Sequence, residues 1–243
     1  MSLASLPNGY RAAVFGASGG IGRAFVDLLA ADLRCAGIYA GSRRVDMTSH
    51  DKVAPFLFDL TDPASLAASA EAVGSPDLVI VATGRLHGPD LTPEKSLRAI
   101  ESASLQEAFT INAIGPALVA RHVLPRLPRS RRTLFAALSA KVGSISDNRL
   151  GGWHSYRASK AALNMLIRTI AIELTRTHPE AVCVALHPGT VDTPLSKPFQ
   201  AGVASERLFT PETSATHLLS VLDNLRPENS GRIFGWDGQE ITP

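Results

Sequence analysis

Cysteine, aromatic side chains and net charge are all scarce in this chain of 243 residues. The two cysteines, Cys35 and Cys183, stand far apart in apolar surroundings. They are too few for a disulfide framework and too isolated for a zinc cluster, and are expected as reduced core packing. Lys and Arg number 24 against 22 Asp and Glu, a net charge of +2, which gives no domain-wide attraction to nucleic acid or to an anionic membrane. No apolar run reaches the length of about 18 residues that a membrane-spanning helix needs. The first residues, MSLASLPNGYR, lack the basic start and apolar stretch of a signal peptide, so the expected compartment is the cytoplasm. None of the seven histidines pairs with another His or a Glu at helical ligand spacing, and no metal site is expected.

What is present is an apolar share of 45%, ordinary for a packed protein, which excludes a disordered or collagen-like chain. Short runs rich in Val, Ile, Leu and Phe alternate with longer helical patterns, the βαβ pattern of a buried parallel sheet. The expected strands are Ala12 to Gly16, Gly37 to Gly41, Pro55 to Asp59, Asp77 to Ala82, Thr133 to Leu138, Ala181 to Leu186 and Arg232 to Trp236. Helices are expected to start near Gly20, Pro63, Ser104, Gly152 and Pro211, the two prolines each standing where a first helical turn opens. No linker or repeat interrupts the pattern, and the arginine run from Arg126 to Arg132 falls between a helix and a strand, where it reads as a solvated turn. The fold expected is therefore α/β: one Rossmann-type domain over residues 1–243, a doubly wound parallel sheet of about seven strands with helices on both faces.

The first strand runs into Gly16-Ala17-Ser18-Gly19-Gly20-Ile21-Gly22 and then into a helix. Glycines at such a turn permit left-handed angles and close backbone approach, leaving amides and a helix N-terminus aimed at a phosphate, with Gly16, Ser18, Gly20, Ile21 and Gly22 around it. The same residues satisfy G-x-S-x-G, the nucleophile elbow of α/β-hydrolases, with Ser18 as nucleophile. An elbow needs an oxyanion donor from an earlier strand loop, and too little chain precedes this turn to build one.

The second strand ends in Gly41-Ser42-Arg43-Arg44. An acidic residue there would hold the ribose hydroxyls of NAD, whereas Arg43 beside Ser42 suits the 2′-phosphate of NADP. NADP(H) is therefore favoured and NAD(H) remains open, with Asp46 farther on able to fold back and a plain surface turn as the simpler reading of Arg43. The third strand delivers Asp59-Leu60 and the fourth Ala82-Thr83-Gly84 to the carboxyl edge of the sheet, where ligands bind. Asp59 either meets an adenine amino group or caps the helix after Pro63.

Tyr156 and Lys160 stand four residues apart on one helix face, where an ammonium favours the phenolate. A free phenol has a pKa of about 10, and this neighbour together with the charge of a bound cofactor is expected to bring it toward working pH as a proton donor. Ser139 ends the fifth strand and either polarises a carbonyl oxygen in the same crevice or is a turn residue. Asn112 lies in a helical stretch followed by Gly115 and Pro116; the proline removes the amide that would bond the carbonyl of residue 112. That carbonyl is then free to hold a water against Lys160. Trp153, His154, Phe199 and Leu208 are either walls of a substrate pocket or packing residues.

Together these residues resemble the short-chain dehydrogenase/reductase family along essentially the whole chain. The matching pieces are GASGGIG from Gly16, Asp59-Leu60, Asn112, Ser139, the run Tyr156-Arg157-Ala158-Ser159-Lys160, and His187-Pro188-Gly189-Thr190-Val191-Asp192-Thr193. The resemblance implies NAD(P)-dependent interconversion of carbonyls and alcohols, with Asn112, Ser139, Tyr156 and Lys160 as catalytic tetrad. It implies cofactor contacts from Tyr156 and Lys160, and from Pro188, Gly189, Val191 near the carboxamide and Thr193 near the phosphates. ALNML after the lysine, LHPGTVDTP and GRIFGWDG resemble the branch that holds C-factor signalling proteins and sniffer-type carbonyl reductases. Two departures stand out: extra residues around Ser144 to Gly152, and Ala82-Thr83-Gly84 where the family has Asn-Ala-Gly, which removes a structural side-chain hydrogen bond. The expected function is NADPH-dependent reduction of an aldehyde, ketone or quinone, in a homodimer or homotetramer; the alternative is a non-catalytic NADP(H)-responsive signalling or scaffold protein of C-factor type.

Overall fold

The computed structural model describes residues 2–44, 50–89 and 91–243, so Asp46 lies outside the described residues. Strands β1 (Tyr10–Phe15), β2 (Cys35–Ser42), β3 (Val53–Leu57), β4 (Leu78–Val81), β5 (Thr133–Leu138) and β6 (Ala181–His187) appear in chain order. Two-residue strands β7 (Thr190–Val191) and β8 (Leu208–Phe209) pair with each other, and β9 (Ile233–Gly235) completes the main sheet. That sheet is parallel throughout, in the order β3-β2-β1-β4-β5-β6-β9. The order reverses between β1 and β4, and at such a switch point the connections leave in opposite directions and open a crevice at the carboxyl ends.

The middle strands form because they can be dry on both faces. β4 is LVIV and β5 is TLFAAL, with every residue buried. Helices α1 (Gly20–Ala31) and α6 (Pro211–Asn224) cover one face, where Phe25, Leu29, Leu218 and Leu222 pack on Val14, Ile80 and Val184. The other face carries α2 (Pro63–Val73), α4 (Gly115–Val123) and α5 (His154–Leu174), with Val119, Leu163 and Ile167 on Val79, Phe135 and Cys183. Cys35 and Cys183 are both free and buried, as expected of packing residues. β3 is an edge strand of the sheet, a position where Pro55, which has no amide to donate, is tolerated inside a strand. No helix among the described residues is long and apolar enough to cross a membrane.

Both proline-led helices start as expected. Asp62 accepts a hydrogen bond from the Ala64 amide, and Thr210 from the Thr213 amide, each one residue before the proline. Asp59 therefore does not cap α2. Two helix starts differ from expectation. The helix placed near Ser104 begins with α3 (Ser102–Phe109) and continues into α4 through a π-helical turn, Thr110–Ile114, closed by the Gly115 amide on the Thr110 carbonyl. Pro116 supplies no amide to an α-helical ladder, and the chain resolves the defect by widening one turn instead of breaking. The helix placed near Gly152 starts two residues later, because Gly151, Gly152 and Trp153 all have positive φ.

Candidate active site

The glycine turn after β1 is shaped by contacts that leave no room for side chains. The amides of Gly16 and Ala17 both donate to the Gly41 carbonyl at 2.9 Å, tying the turn to the end of β2. Gly16 has φ of +89°, and a Cβ on Gly22 would sit 2.1 Å from the Gly16 carbonyl oxygen. A Cβ on Gly20 would meet the Thr193 methyl at 2.8 Å, so the segment after β6 presses directly on the start of α1. Helix α1 opens with no side-chain cap and no acidic residue in its first turn. Its free amides and positive end suit an anion.

A cleft runs from this turn along the carboxyl ends of β1 to β4. Of the expected cofactor residues, Gly16, Ser18, Ser42, Arg43, Asp59, Leu60, Ala82, Thr83 and Gly84 line it. Gly19, Phe58, Thr61, Arg85 and Ile111 line it as well and were not singled out by sequence. Asp59 accepts from both the amide (2.8 Å) and the hydroxyl (2.7 Å) of Thr61. Those two bonds, with Arg43 adding attraction, hold the Asp59 carboxyl below its usual range. The Ser42 hydroxyl donates to the Arg44 carbonyl. The Thr83 hydroxyl oxygen is buried with no protein partner although its residue lines the cleft. An orphaned polar atom, an uncapped helix start and a cradle that a single methyl group would fill together fit a phosphate-bearing nucleotide. The Pro188 carbonyl accepts from Ser214 on α6, and Gly189 packs under the rings of Phe209 and Trp236. Val191 is buried in β7, while Gly20, Ile21, Gly22 and Thr193 stand at the mouth of α1.

The four expected catalytic side chains converge on α5. Asn112 is fully buried in the π-helical turn. Its Oδ1 accepts from the Arg85 amide at 2.8 Å, and its Nδ2 donates to the Arg85 carbonyl at 2.9 Å and to the Ser159 hydroxyl at 3.1 Å. Ser159 in turn donates to the Tyr156 carbonyl at 2.9 Å. Lys160 Nζ donates to the Leu138 carbonyl at 2.8 Å, at the end of β5, and lies 5.8 Å from the centre of the Tyr156 ring. A Cβ on Gly84 would come within 3.6 Å of Asn112 Oδ1 and 3.7 Å of Lys160 Nζ, so both groups lie directly behind Gly84, which lines the cleft. Ser139, the next residue after β5, donates to Oδ1 of Asn164 at 2.7 Å, both groups buried. Asn164 lies one helical turn beyond Lys160, and only its polar character inside ALNML marks it in the sequence.

The electrostatics correct one expectation. Burial alone pushes the Tyr156 phenol up to about 12 and the Lys160 amine down to about 7. An amine driven toward its neutral form has little charge to lend a neighbour, so the protein by itself does not lower the phenol.

Beside Tyr156 stands a row of rings. Trp153 meets the Tyr156 ring edge-on at 6.2 Å and the Phe199 ring at 5.0 Å, and Phe199 meets His87 at 5.6 Å. His87 Nε2 is 3.0 Å from the Pro194 carbonyl oxygen, tying the segment after β7 to the loop after β4. Leu208 is instead taken into β8, and His154 forms the first turn of α5.

Comparison with known proteins agrees with this geometry. The short chain dehydrogenase family matches residues 11–204. C-signal of Myxococcus xanthus is 38% identical over 147 residues, 60% of this chain and 82% of that one. The 1-hydroxy-2-glutathionyl-2-methyl-3-butene dehydrogenase of Rhodococcus sp. (strain AD45) is 31% identical over 212 residues, 81% of this chain and 90% of that one. The NADPH-bound carbonyl reductase from chicken fatty liver superposes with a TM-score of 0.83 at 27% identity, covering 98% of this chain and 96% of that one. With its switch-point cleft, its glycine cradle and its convergence of Asn112, Ser139, Tyr156 and Lys160 on one helix, this chain belongs to the short chain dehydrogenase family and is a short-chain oxidoreductase of the branch that includes C-signal.

Proposed function

We propose that this enzyme reduces a small aldehyde, ketone or quinone to the alcohol and that it prefers NADP(H) to NAD(H). The observation that carries the reading is the meeting of Asn112, Lys160 and Gly84 at the inner end of the cleft whose outer end carries Ser42 and Arg43. The cofactor, when bound, supplies the hydride. Gly16, Ser18, Gly20, Ile21 and Gly22 hold its phosphates, Arg43 and Ser42 favour a 2′-phosphate by charge-assisted contact, and Asp59, Leu60 and the turn Ala82-Thr83-Gly84 hold the adenosine side. Pro188, Gly189, Val191 and Thr193 form the covering wall. Tyr156 gives its phenolic proton to the developing alkoxide, which needs a phenol that is protonated at neutral pH, and burial ensures that. Ser139 turns its hydroxyl hydrogen from Asn164 toward the substrate oxygen and steadies the growing negative charge. Lys160 would orient the ribose, and Asn112 holds the loop at Arg85 in register with α5. The exposed apolar residues Ile114, Met165 and Ile172 on the outer faces of these helices suit a homodimer or homotetramer.

The test is NADPH oxidation over a panel of carbonyl compounds, for wild type and Tyr156→Phe. Loss of a general acid lowers turnover by about 100- to 10,000-fold. Equal rates overturn the assigned role, and NADPH binding without turnover of any carbonyl favours a non-catalytic NADP(H)-binding signalling or scaffold protein.

A further inference from the structure

Trp153 is the one residue other than glycine with positive φ among the described residues, at φ 51° and ψ 44°. A bulky side chain in that region carries strain of about 1–3 kcal/mol and persists only where its surroundings impose it. Here they do so from a distance. Gly151 and Gly152 lead in with φ of 64° and 66°. The Glu94 carbonyl, 59 positions away in sequence, accepts the Trp153 amide at 2.5 Å. The Glu94 carboxylate, itself only 3% exposed, accepts from the Ser155 amide at 3.1 Å and from the Ser155 hydroxyl. A helix start as such needs only a Ser, Thr or Asp in relaxed backbone. What the strained start adds is the position of the indole, between the Tyr156 ring and Phe199.

The rings of Trp153, Phe199 and His87 therefore make a row beginning at the proton-donating phenol, each meeting the next edge-on, with interplanar angles of 74°, 62° and 69° from Tyr156 outward. The nearest buried carboxylate, Glu94, is spent on the first turn of α5 and offers nothing to a ligand. A flat π-system can lie edge-on or offset against such rings, whereas a puckered group of equal size makes only part of the contact. We infer that Trp153, set in place by Glu94, determines specificity, and that the substrate is a carbonyl compound bearing an aryl or similarly flat conjugated group. This rests on the carbonyl reduction proposed above and narrows its substrate class.

The experiment compares kcat/KM for benzaldehyde and for cyclohexanecarbaldehyde, which has the same carbon count but a puckered ring, in wild type, Trp153→Gly and Trp153→Phe. Taking each variant's ratio relative to wild type cancels the intrinsic reactivity of the two aldehydes. Glycine accepts the left-handed backbone without strain, which offsets part of the packing lost with the indole, so Trp153→Gly stays folded while its aryl preference falls about tenfold, the worth of one aromatic contact. Trp153→Phe restores most of that preference. An unchanged ratio in folded Trp153→Gly makes Trp153 a structural residue and overturns this inference alone. Failure of wild type to reduce any carbonyl overturns both it and the reading beneath it.

Discussion

Replacing Asn112 by Asp changes one NH2 group into an oxygen and nothing else in shape, so its effect can be worked from hydrogen bonds alone. One carboxylate oxygen keeps the bond from the Arg85 amide. The other takes the place of Nδ2 and faces the Arg85 carbonyl and the Ser159 oxygen, whose hydrogen is committed to the Tyr156 carbonyl. Two acceptors lose their donor in a fully buried site, each at about 1–3 kcal/mol, so the variant is less stable by about 2–6 kcal/mol at pH near 8. Protonating the carboxyl restores one donor, which raises its folded pKa well above the value of about 3.9 in the unfolded chain. The unfolded state then binds fewer protons than the folded one between those two values. Stability is lost as pH rises through the folded pKa, and the deficit against wild type narrows on acidification to about pH 5. Urea titrations of both proteins at the two pH values measure this, with Asn112→Leu as a variant whose deficit does not shrink. A deficit below about 1 kcal/mol near pH 8, or one that widens in acid, refutes the assignment of Nδ2 to the Arg85 and Ser159 oxygens.

Three further outcomes follow from the same geometry. His187 has a buried Nδ1 without a partner and is pushed down to about 4, chiefly by burial and secondly by Lys141. Its neutral form is favoured in the fold, so stability falls by up to about 3 kcal/mol as pH drops from about 6.5 to 4, and His187→Gln flattens that slope in urea titrations. Gly22→Ala drives a methyl group into the Gly16 carbonyl, and NADPH affinity in a fluorescence titration drops at least about 100-fold; wild-type affinity in a folded variant refutes the cradle. Arg43→Ala lowers the ratio of NADPH to NADH affinity by at least about tenfold, and an unchanged ratio removes Arg43 from the 2′-phosphate site.

Much of the fold was legible because parallel strands covered on both faces are nearly continuous apolar runs, as in β4, β5 and β6. The cleft residues were legible because strand ends and the glycine turn are local features. What escaped was long-range or electrostatic. Glu94 stabilises the start of α5 from 61 positions away, and nothing near Ser155 in the chain announces it. Asn164 is tied to Ser139 across 25 positions. Pro116 marked the place of a helix defect but not its form, since a missing amide is equally compatible with a break, a kink or a widened turn. The spacing of Lys160 from Tyr156 carries no information on burial, which in the protein by itself raises the phenol and lowers the amine.

The widened turn at Thr110–Ile114 also bears on which changes this region can accept over evolution. Each helical residue advances the chain by about 100° around the axis, so loss of one residue there would leave the missing Pro116 amide uncompensated and swing everything upstream of it around by that angle. Amino-acid replacements in this stretch are local events, whereas a single-codon deletion would detach α3 from α5 and aim Asn112 elsewhere. The length of the segment is therefore under tighter constraint than the identity of most of its residues.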